Sequence, residues 1–240
     1  MGKAITAAAQ DEFDIVAGID VNASALGAAC SFPVYESISD FSGKADAIVD
    51  FSHHTALPSL LDYAKRTHTP LVVATTGHTE DELSMMKEAA EDVAVFFSGN
   101  FSIGINLIIE LAKKAAAALG SDFDVEIIEK HHNKKLDAPS GTALMIANAV
   151  AEEREESEYV YDRHSVRKAR ESKEIGIHSV RGGTIVGEHE IIFAGTNEVV
   201  TLSHSAASRE IFATGALRAA AYVAKKQSGL YNMSDLIEGR

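Results

Sequence analysis

A single cysteine, Cys30, stands in 240 residues. One thiol cannot form an internal disulfide framework or a cysteine-based zinc site, and a cytoplasmic setting is the expectation. Positive charge is also scarce: 22 Lys and Arg stand against 35 Asp and Glu, a formal net charge of −13. General binders of nucleic acid or of anionic membranes need a net basic face, so neither partner is expected. An anionic ligand would need positive charge gathered locally. No apolar run reaches membrane-spanning length, and the first residues lack the charged-then-apolar pattern of a secretory leader. Repeats and low-complexity tracts are lacking too. The remaining composition is ordinary, with 46% hydrophobic residues, enough for a real core in one large or two small domains.

The first half alternates short apolar segments with helical ones. Residues 13–20 (FDIVAGID), 45–52 (ADAIVDFS), 70–77 (PLVVATTG) and 93–100 (VAVFFSGN) read as buried strands. Residues 56–68 and 79–92 read as helices, the second opened by a Thr79/Glu82 capping box. This βαβα rhythm predicts an α/β fold with a Rossmann-like, doubly wound parallel sheet. The second half changes character. Residues 102–120 read as a long helix closed by Gly120, and residues 122–132 as a strand with Phe123, Val125 and Ile127 on one side. A helix follows from about Ser140 to Arg154, then a charged, exposed connection over 152–174. Consecutive strand segments between Ile175 and Ala206 predict a mixed or antiparallel sheet. A helix over 208–227 is expected to end the ordered fold.

Asp20 closes the first strand segment. In dinucleotide folds an acidic residue about 20 positions after a Gly-rich turn binds the ribose hydroxyls. Counting back from Asp20 reaches Gly2. The chain is therefore read as starting inside such a turn, with the preceding strand and earlier glycines outside the sequence; a natural start further upstream is the expectation. ATTGH (74–78) and SGNFS (98–102) each follow a strand at its carboxyl end, where ligands bind in open α/β sheets. Their small, hydroxyl-bearing residues would let a nicotinamide ring approach the backbone. Ordinary capped loops are the plain alternative.

The most unusual stretch is EKHHNKKLDAPSGTA, Glu129 to Ala143. His131 and His132 end a strand, so their side chains point opposite ways and one can face a cleft while the other packs. Lys134 and Lys135 follow. Ser140 is a good N-cap, and the small Gly141 and Thr142 leave the first-turn N–H groups open. Such a helix start suits a carboxylate. Lysine adds a compact, mobile charge and histidine a group that titrates near neutrality. A carboxylate ligand and a proton-transfer step account for the set together. A satisfied histidine pair, a solvated lysine turn and plain helix capping stay open from the residues alone. A metal site using His53, His54, His131 and His132 is disfavoured, because adjacent histidines do not share a face and no acidic partner has ligand spacing. No G-x-S-x-G elbow supports a serine hydrolase.

These segments carry a resemblance. EKHHNKKLDAPSGTA resembles the signature of the dihydrodipicolinate reductase family of bacterial lysine and diaminopimelate synthesis. VVATTG, FFSGNFSIGIN, GIHSVRGGTIVGEHEIIFAGTNE and GLYNMSDL resemble further family segments in the family order, across essentially the whole chain. The resemblance implies a reductase that passes hydride from NADH or NADPH to a small cyclic dicarboxylate, 4-hydroxy-tetrahydrodipicolinate, with loss of water. It implies His131 as proton donor or acceptor and Lys135 as a second proton donor. It implies substrate contacts at His132, Gly141 and Thr142, with Ser140 at the same helix start. Ala74, Thr75 and Thr76, and Ser98, Gly99, Asn100 and Phe101, match loops bordering the nicotinamide; Asp20 matches the ribose contact and Gly2 the last glycine of the turn. Arg181 is a weaker candidate for the anion clamp. A homotetramer built through the second domain's sheet is implied as well. The implied division is a dinucleotide-binding domain of residues 1–101 and 208–240 and an α+β substrate-binding and oligomerisation domain of residues 102–207. The missing strand and turn are the departure from the family pattern, and they leave a second reading, a cofactor-deficient protein that only binds a dicarboxylate. A different two-domain dehydrogenase would be expected to use a nucleophilic cysteine, and Cys30 sits in an unpromising loop.

Overall fold

The computed structural model describes all residues except 10, 11, 27–29 and 240. The chain divides into two compact units, Met1–Ser102 with Glu210–Arg240, and Ile103–Arg209.

The first unit begins with α1 (Gly2–Ala9), β1 (Gly18–Ile19), α2 (Ala23–Leu26) and β2 (Val34–Tyr35). It continues through β3 (Ile48–Asp50), α3 (Leu57–Thr67), β4 (Leu71–Val73), α4 (Glu80–Ala89) and β5 (Ala94–Phe97). β3, β4 and β5 pair in parallel. Short strands with helices between them leave both sheet faces to be covered, and both are. Val95 joins the cluster of Leu57, Leu61, Leu71 and Met86 under α3 and α4. The next residue, Phe96, points the opposite way and meets Phe101 and Tyr222 at ring-centroid distances of 5.7 and 6.2 Å. The capping box at α4 forms as its sequence predicts, with Thr79 and Glu82 each accepting from the other's backbone N–H.

The second unit holds α5 (Ile103–Leu119), β6 (Asp124–His131), α6 (Gly141–Ala151), β7 (Glu158–Val160), β8 (Glu174–Arg181), β9 (Gly187–Gly195) and β10 (Glu198–Ala206). Its five-stranded sheet runs β10-β9-β6-β8-β7. β6–β8 and β7–β8 are parallel, and β6–β9 and β9–β10 antiparallel, so the expected mixed sheet is present. Val125, Ile127, Ile175, Ile177, Ile191 and Phe193 close its core against α5 and α6. The chain then returns to the first unit with α7 (Glu210–Val223), β11 (Gly229–Tyr231) and α8 (Met233–Glu238). β11 extends the first sheet to the order β11-β5-β4-β3.

Three expectations need correction. Of the strand read over 13–20, only Gly18–Ile19 is strand, and it pairs with β2 in a separate two-stranded sheet. A ladder this short holds little beyond its own rungs and the Asp20 N–H, which donates to the Tyr35 carbonyl at 2.9 Å, and Val16 and Ile19 are 46% and 40% exposed. The connection over 152–174 contains β7, and its charges are ion-paired rather than merely solvated. Arg163 meets the buried Glu174 at 2.7 Å, and Arg170 meets Asp124 at 3.3 Å. The ordered fold does not end with α7. β11 pairs with β5, and α8 has an Asn232/Asp235 capping box. A strand of three residues held by a distant partner leaves no local periodicity to read.

α7 covers its sheet face with Ala213, Ala216, Leu217 and Ala220 buried. Gly215 makes the close approach possible: a Cβ there would stand 1.7 Å from the carbonyl oxygen of Phe101. Gly215→Ala should therefore destabilise the protein by roughly 1–3 kcal/mol or more, the range for overpacking a filled site. A lowered urea midpoint is the expected reading, and an unchanged one would mean that helix and loop are not packed at this distance.

Candidate active site

Strand β6 builds the site of the second unit. Its side chains alternate between buried and half-buried, and the buried set runs Val125, Ile127, Glu129, His131. The first two close the core. The last two bring a carboxylate and an imidazole to the strand's carboxyl end. Glu129 is 0% exposed. Arg181 grips both its oxygens, Nη1 donating to Oε2 at 2.7 Å and Nη2 to Oε1 at 2.6 Å. His131 Nδ1 lies 2.6 Å from Oε2, and the Ser140 N–H donates to Oε1 at 3.1 Å. Register explains the gathering, because Glu129 stands beside Ser179, and His131 beside Arg181, across the β6–β8 ladder. Burial pushes the Glu129 carboxyl up, but hydrogen bonds from Arg181, His131 and Ser179 outweigh it and hold the group at about 2.

His189 pairs with Glu129 across β6–β9. Its Nε2 lies 3.2 Å from Ser140 Oγ, and its ring meets that of His131 edge-on at 5.3 Å. Burial first, and the nearness of His131 second, push the His189 imidazole down to about 4, so it is neutral near pH 7. Ser140 caps α6, its Oγ accepting from the Ala143 N–H at 3.2 Å. Gly141 is exposed, with no atom within 4 Å of the point where a Cβ would stand. Thr142, the next residue, is half-buried. The first turn of α6 thus meets open space at Gly141, as an anion site requires.

Lys135 lies in the turn after β6, its Nζ 2.8 Å from an oxygen of Asp137. His132 Nε2 accepts from Arg209 Nη2 at 3.4 Å. One adjacent histidine is thus buried on Glu129 and the other half-exposed beside an arginine, as opposite-facing neighbours should be. Arg181 corrects an expectation. Its Nη groups donate to Glu129, to the Val180 carbonyl and to the Asp137 carbonyl, so its charge is already met within the protein and it is no free anion clamp. Glu129, Ser179 and His189 escaped the sequence reading. The signal for Glu129 was available, since it shares the parity of Val125 and Ile127.

The first unit carries a separate cleft of about 250 Å³ at the carboxyl ends of β3 and β4, lined by Phe51, Ser52, His53, Ala74, Thr75 and Thr76 among others. Asp50 organises it. The carboxylate accepts from Ser52 N–H at 2.8 Å and Ser52 Oγ at 2.5 Å, and its other oxygen accepts from Thr75 Oγ1 at 2.8 Å. Ser98, Asn100 and Phe101 are buried after β5, with Ser98 Oγ donating to the Asn100 carbonyl at 2.8 Å, while Gly99 is exposed. Asp20 follows β1, and its carboxylate accepts from the Asn22 N–H at 2.8 Å. Gly2 opens α1 with nothing within 4 Å of its Cβ position. The backbone is thus open at Gly2, and Ala74–Thr76 contribute small residues to the cleft. Sequence reasoning missed Asp50 and Ser52, and named His53 only in a disfavoured metal site. Among the described residues, no cluster of His, Cys, Asp or Glu could hold a metal ion, and no helix is long and apolar enough to cross a membrane.

Comparisons with known proteins cover the whole length. The model of the dihydrodipicolinate reductase N-terminus matches residues 1–101, and that of its C-terminus matches residues 104–237. The 4-hydroxy-tetrahydrodipicolinate reductase of Caldanaerobacter subterraneus subsp. tengcongensis is 50% identical over 99% of this chain and 94% of that protein. The Clostridium novyi protein of the same name is 46% identical, covering 100% and 95%. A dipicolinate-bound dihydrodipicolinate reductase from Paenisporosarcina sp. TG-14 superposes with a TM-score of 0.80 at 26% identity, covering 98% of this chain and 94% of that one.

The neutral, buried His189 gives a pH test. The unfolded chain takes up a proton at this residue below its ordinary value of 6.5, and the folded one only near 4. Stability from this group is therefore complete above pH 6.5 and is lost as pH falls toward 4. His189→Gln should flatten that part of the stability–pH curve, read as urea midpoints. A slope equal to that of the unsubstituted protein would rule out a neutral buried imidazole.

Proposed function

The chain belongs to the dihydrodipicolinate reductase family, and from that premise we propose that it reduces 4-hydroxy-tetrahydrodipicolinate to tetrahydrodipicolinate in lysine and diaminopimelate synthesis. One hydride and one proton enter the substrate ring and one water leaves. The nicotinamide of NADH or NADPH supplies the hydride when bound. The observation that carries the reading is the joining of a buried, carboxylate-held imidazole (His131) to a helix start that is exposed at Gly141, within the segment that resembles the family signature.

The residue roles follow from charge and position. His131 exchanges a proton with the substrate, and Lys135, released from Asp137, is the second proton donor. Asp137 is 58% exposed, and an ion pair with one partner so open to solvent is worth about 1 kcal/mol, so a substrate carboxylate can displace Asp137 with little loss. The backbone N–H groups of Gly141 and Thr142 receive one carboxylate, with Ser140 holding the cap. His132 supplies a further substrate contact. Ala74, Thr75, Thr76 and Ser98, Gly99, Asn100 and Phe101 border the nicotinamide, Asp20 receives the ribose hydroxyls and Gly2 the pyrophosphate. A homotetramer through the sheet of the second unit belongs to the same reading; the 62% exposure of Val199 on β10 supports it. Residues 1–101 with 208–240 bind the cofactor, and residues 102–207 bind substrate and assemble.

Oxidation of NADH and of NADPH, followed at 340 nm with freshly formed substrate, tests the proposal. His131→Gln and Lys135→Ala should each lower kcat by about 10²–10⁴-fold, the usual contribution of a general acid–base group. Absence of turnover with either cofactor in the unsubstituted protein would defeat the reading. Full activity in both variants would remove these residues from the chemistry.

A further inference from the structure

We propose that Glu129 is the positioning residue of the proton-transfer site: its buried carboxylate fixes the His131 imidazole through Nδ1, leaving Nε2 to exchange the proton, and ties that ring to the first turn of α6. The inference rests on the assignment of His131 to proton transfer made above.

Geometry carries it. An ionised carboxylate only accepts hydrogen bonds, so at 2.6 Å from Oε2 the His131 Nδ1 must bear the hydrogen. The tautomer is thereby set, and Nε2 is the free nitrogen of the neutral ring. Glu129 cannot swing away, because Arg181 donates to both oxygens and Ser140 N–H to one of them. The ring is confined on other sides too. His189 packs edge-on at 5.3 Å. Beside Nε2 lies Gly187, where a Cβ would stand 3.1 Å away, so the absence of a side chain keeps room at that nitrogen. The other arm of the carboxylate reaches the helix start. Oε1 accepts from the residue whose Oγ caps α6, so one side chain sets both the proton-transfer ring and the carboxylate-binding turn. A carboxylate buried only for stability would need no such pairing with a histidine and a helix cap.

The test uses Glu129→Gln alone, in a His131→Gln background, and combined with Arg181→Met, which removes the buried cation together with the buried anion. Circular dichroism establishes folding, and the double variant keeps the experiment decisive where Glu129→Gln alone does not fold. In the presence of His131, loss of the carboxylate should lower kcat about tenfold or more, a part of what an acid–base group contributes. In the His131→Gln background the same change should lower kcat no further, while KM still rises through the α6 turn. Long-range ¹H–¹⁵N spectra should show His131 as a single Nδ1–H tautomer in the unsubstituted protein and as a mixture once Glu129 is replaced. Equal losses of kcat in both backgrounds, or an unchanged tautomer, would overturn the proposal. Absence of turnover in the unsubstituted protein would instead defeat the functional reading, and the spectra would still decide whether Glu129 holds the ring.

Discussion

Glu129 bears a charge with no solvent contact, and a lone carboxylate in such a place would be protonated or would unfold its surroundings. It remains ionised because Arg181 meets both oxygens from the neighbouring strand. The register of β6 on β8 is what brings the two together, and that register is set by the apolar residues before them, Val125 and Ile127 against Ile175 and Ile177. A slip of one residue would turn the carboxylate outward and leave the arginine unmet. The core of the second unit and its chemistry are therefore specified by the same ladder. Buried ion pairs of this type often add little net stability over apolar replacements of equal volume, yet breaking one partner costs about 3–5 kcal/mol. Fixing the geometry of His131 and Ser140 is the return that such a pair gives here.

An acidic chain that binds a dianion needs its positive potential concentrated. Arg181 looks like an obvious source, but Glu129 neutralises it. What remains is of a different kind. The α6 N-terminus offers backbone dipoles that cannot be neutralised by a mobile side chain. Lys135 is paired with Asp137, which is 58% exposed. His132 and Arg209 meet at 3.4 Å nearby. The permanent positive element is thus built into the backbone, and the mobile ones are held loosely enough to be exchanged for a ligand.

Much of this was legible in the sequence, for identifiable reasons. β4, β5, α3, α4 and α5 are marked by runs of apolar residues or by caps, and those signals are local. His131, Lys135 and Ser140 stood out because no core requires that mixture of residue types. Glu129 did not, because one acid next to a lysine looks solvated until strand parity places it inside. His189 and Ser179 join the site only through pairing across 60 and 50 positions of chain. β11 escaped for the same reason, since its existence depends on β5. The residues 13–20 failed in the opposite direction: their apolar content predicts a full strand, but only a two-rung ladder forms and Val16 and Ile19 stay exposed.

The two units solve the same local problem in the same way. In each, an acidic residue occupies the inward register at the carboxyl end of a strand, where the apolar positions run out: Asp50 on β3 and Glu129 on β6. In each, that acid accepts from a residue of the following loop and from a group on a neighbouring strand or the loop after it. Asp50 takes Ser52 and Thr75, and Glu129 takes Ser140 and Arg181. The acid converts the end of a hydrophobic ladder into a fixed set of hydrogen bonds, so the loop beyond it inherits the rigidity of the sheet. Loops that must hold a ring or a carboxylate at a set distance gain most from this arrangement. In each unit, then, a residue proposed to touch ligand is oriented by a buried acid: Thr75 by Asp50 and His131 by Glu129.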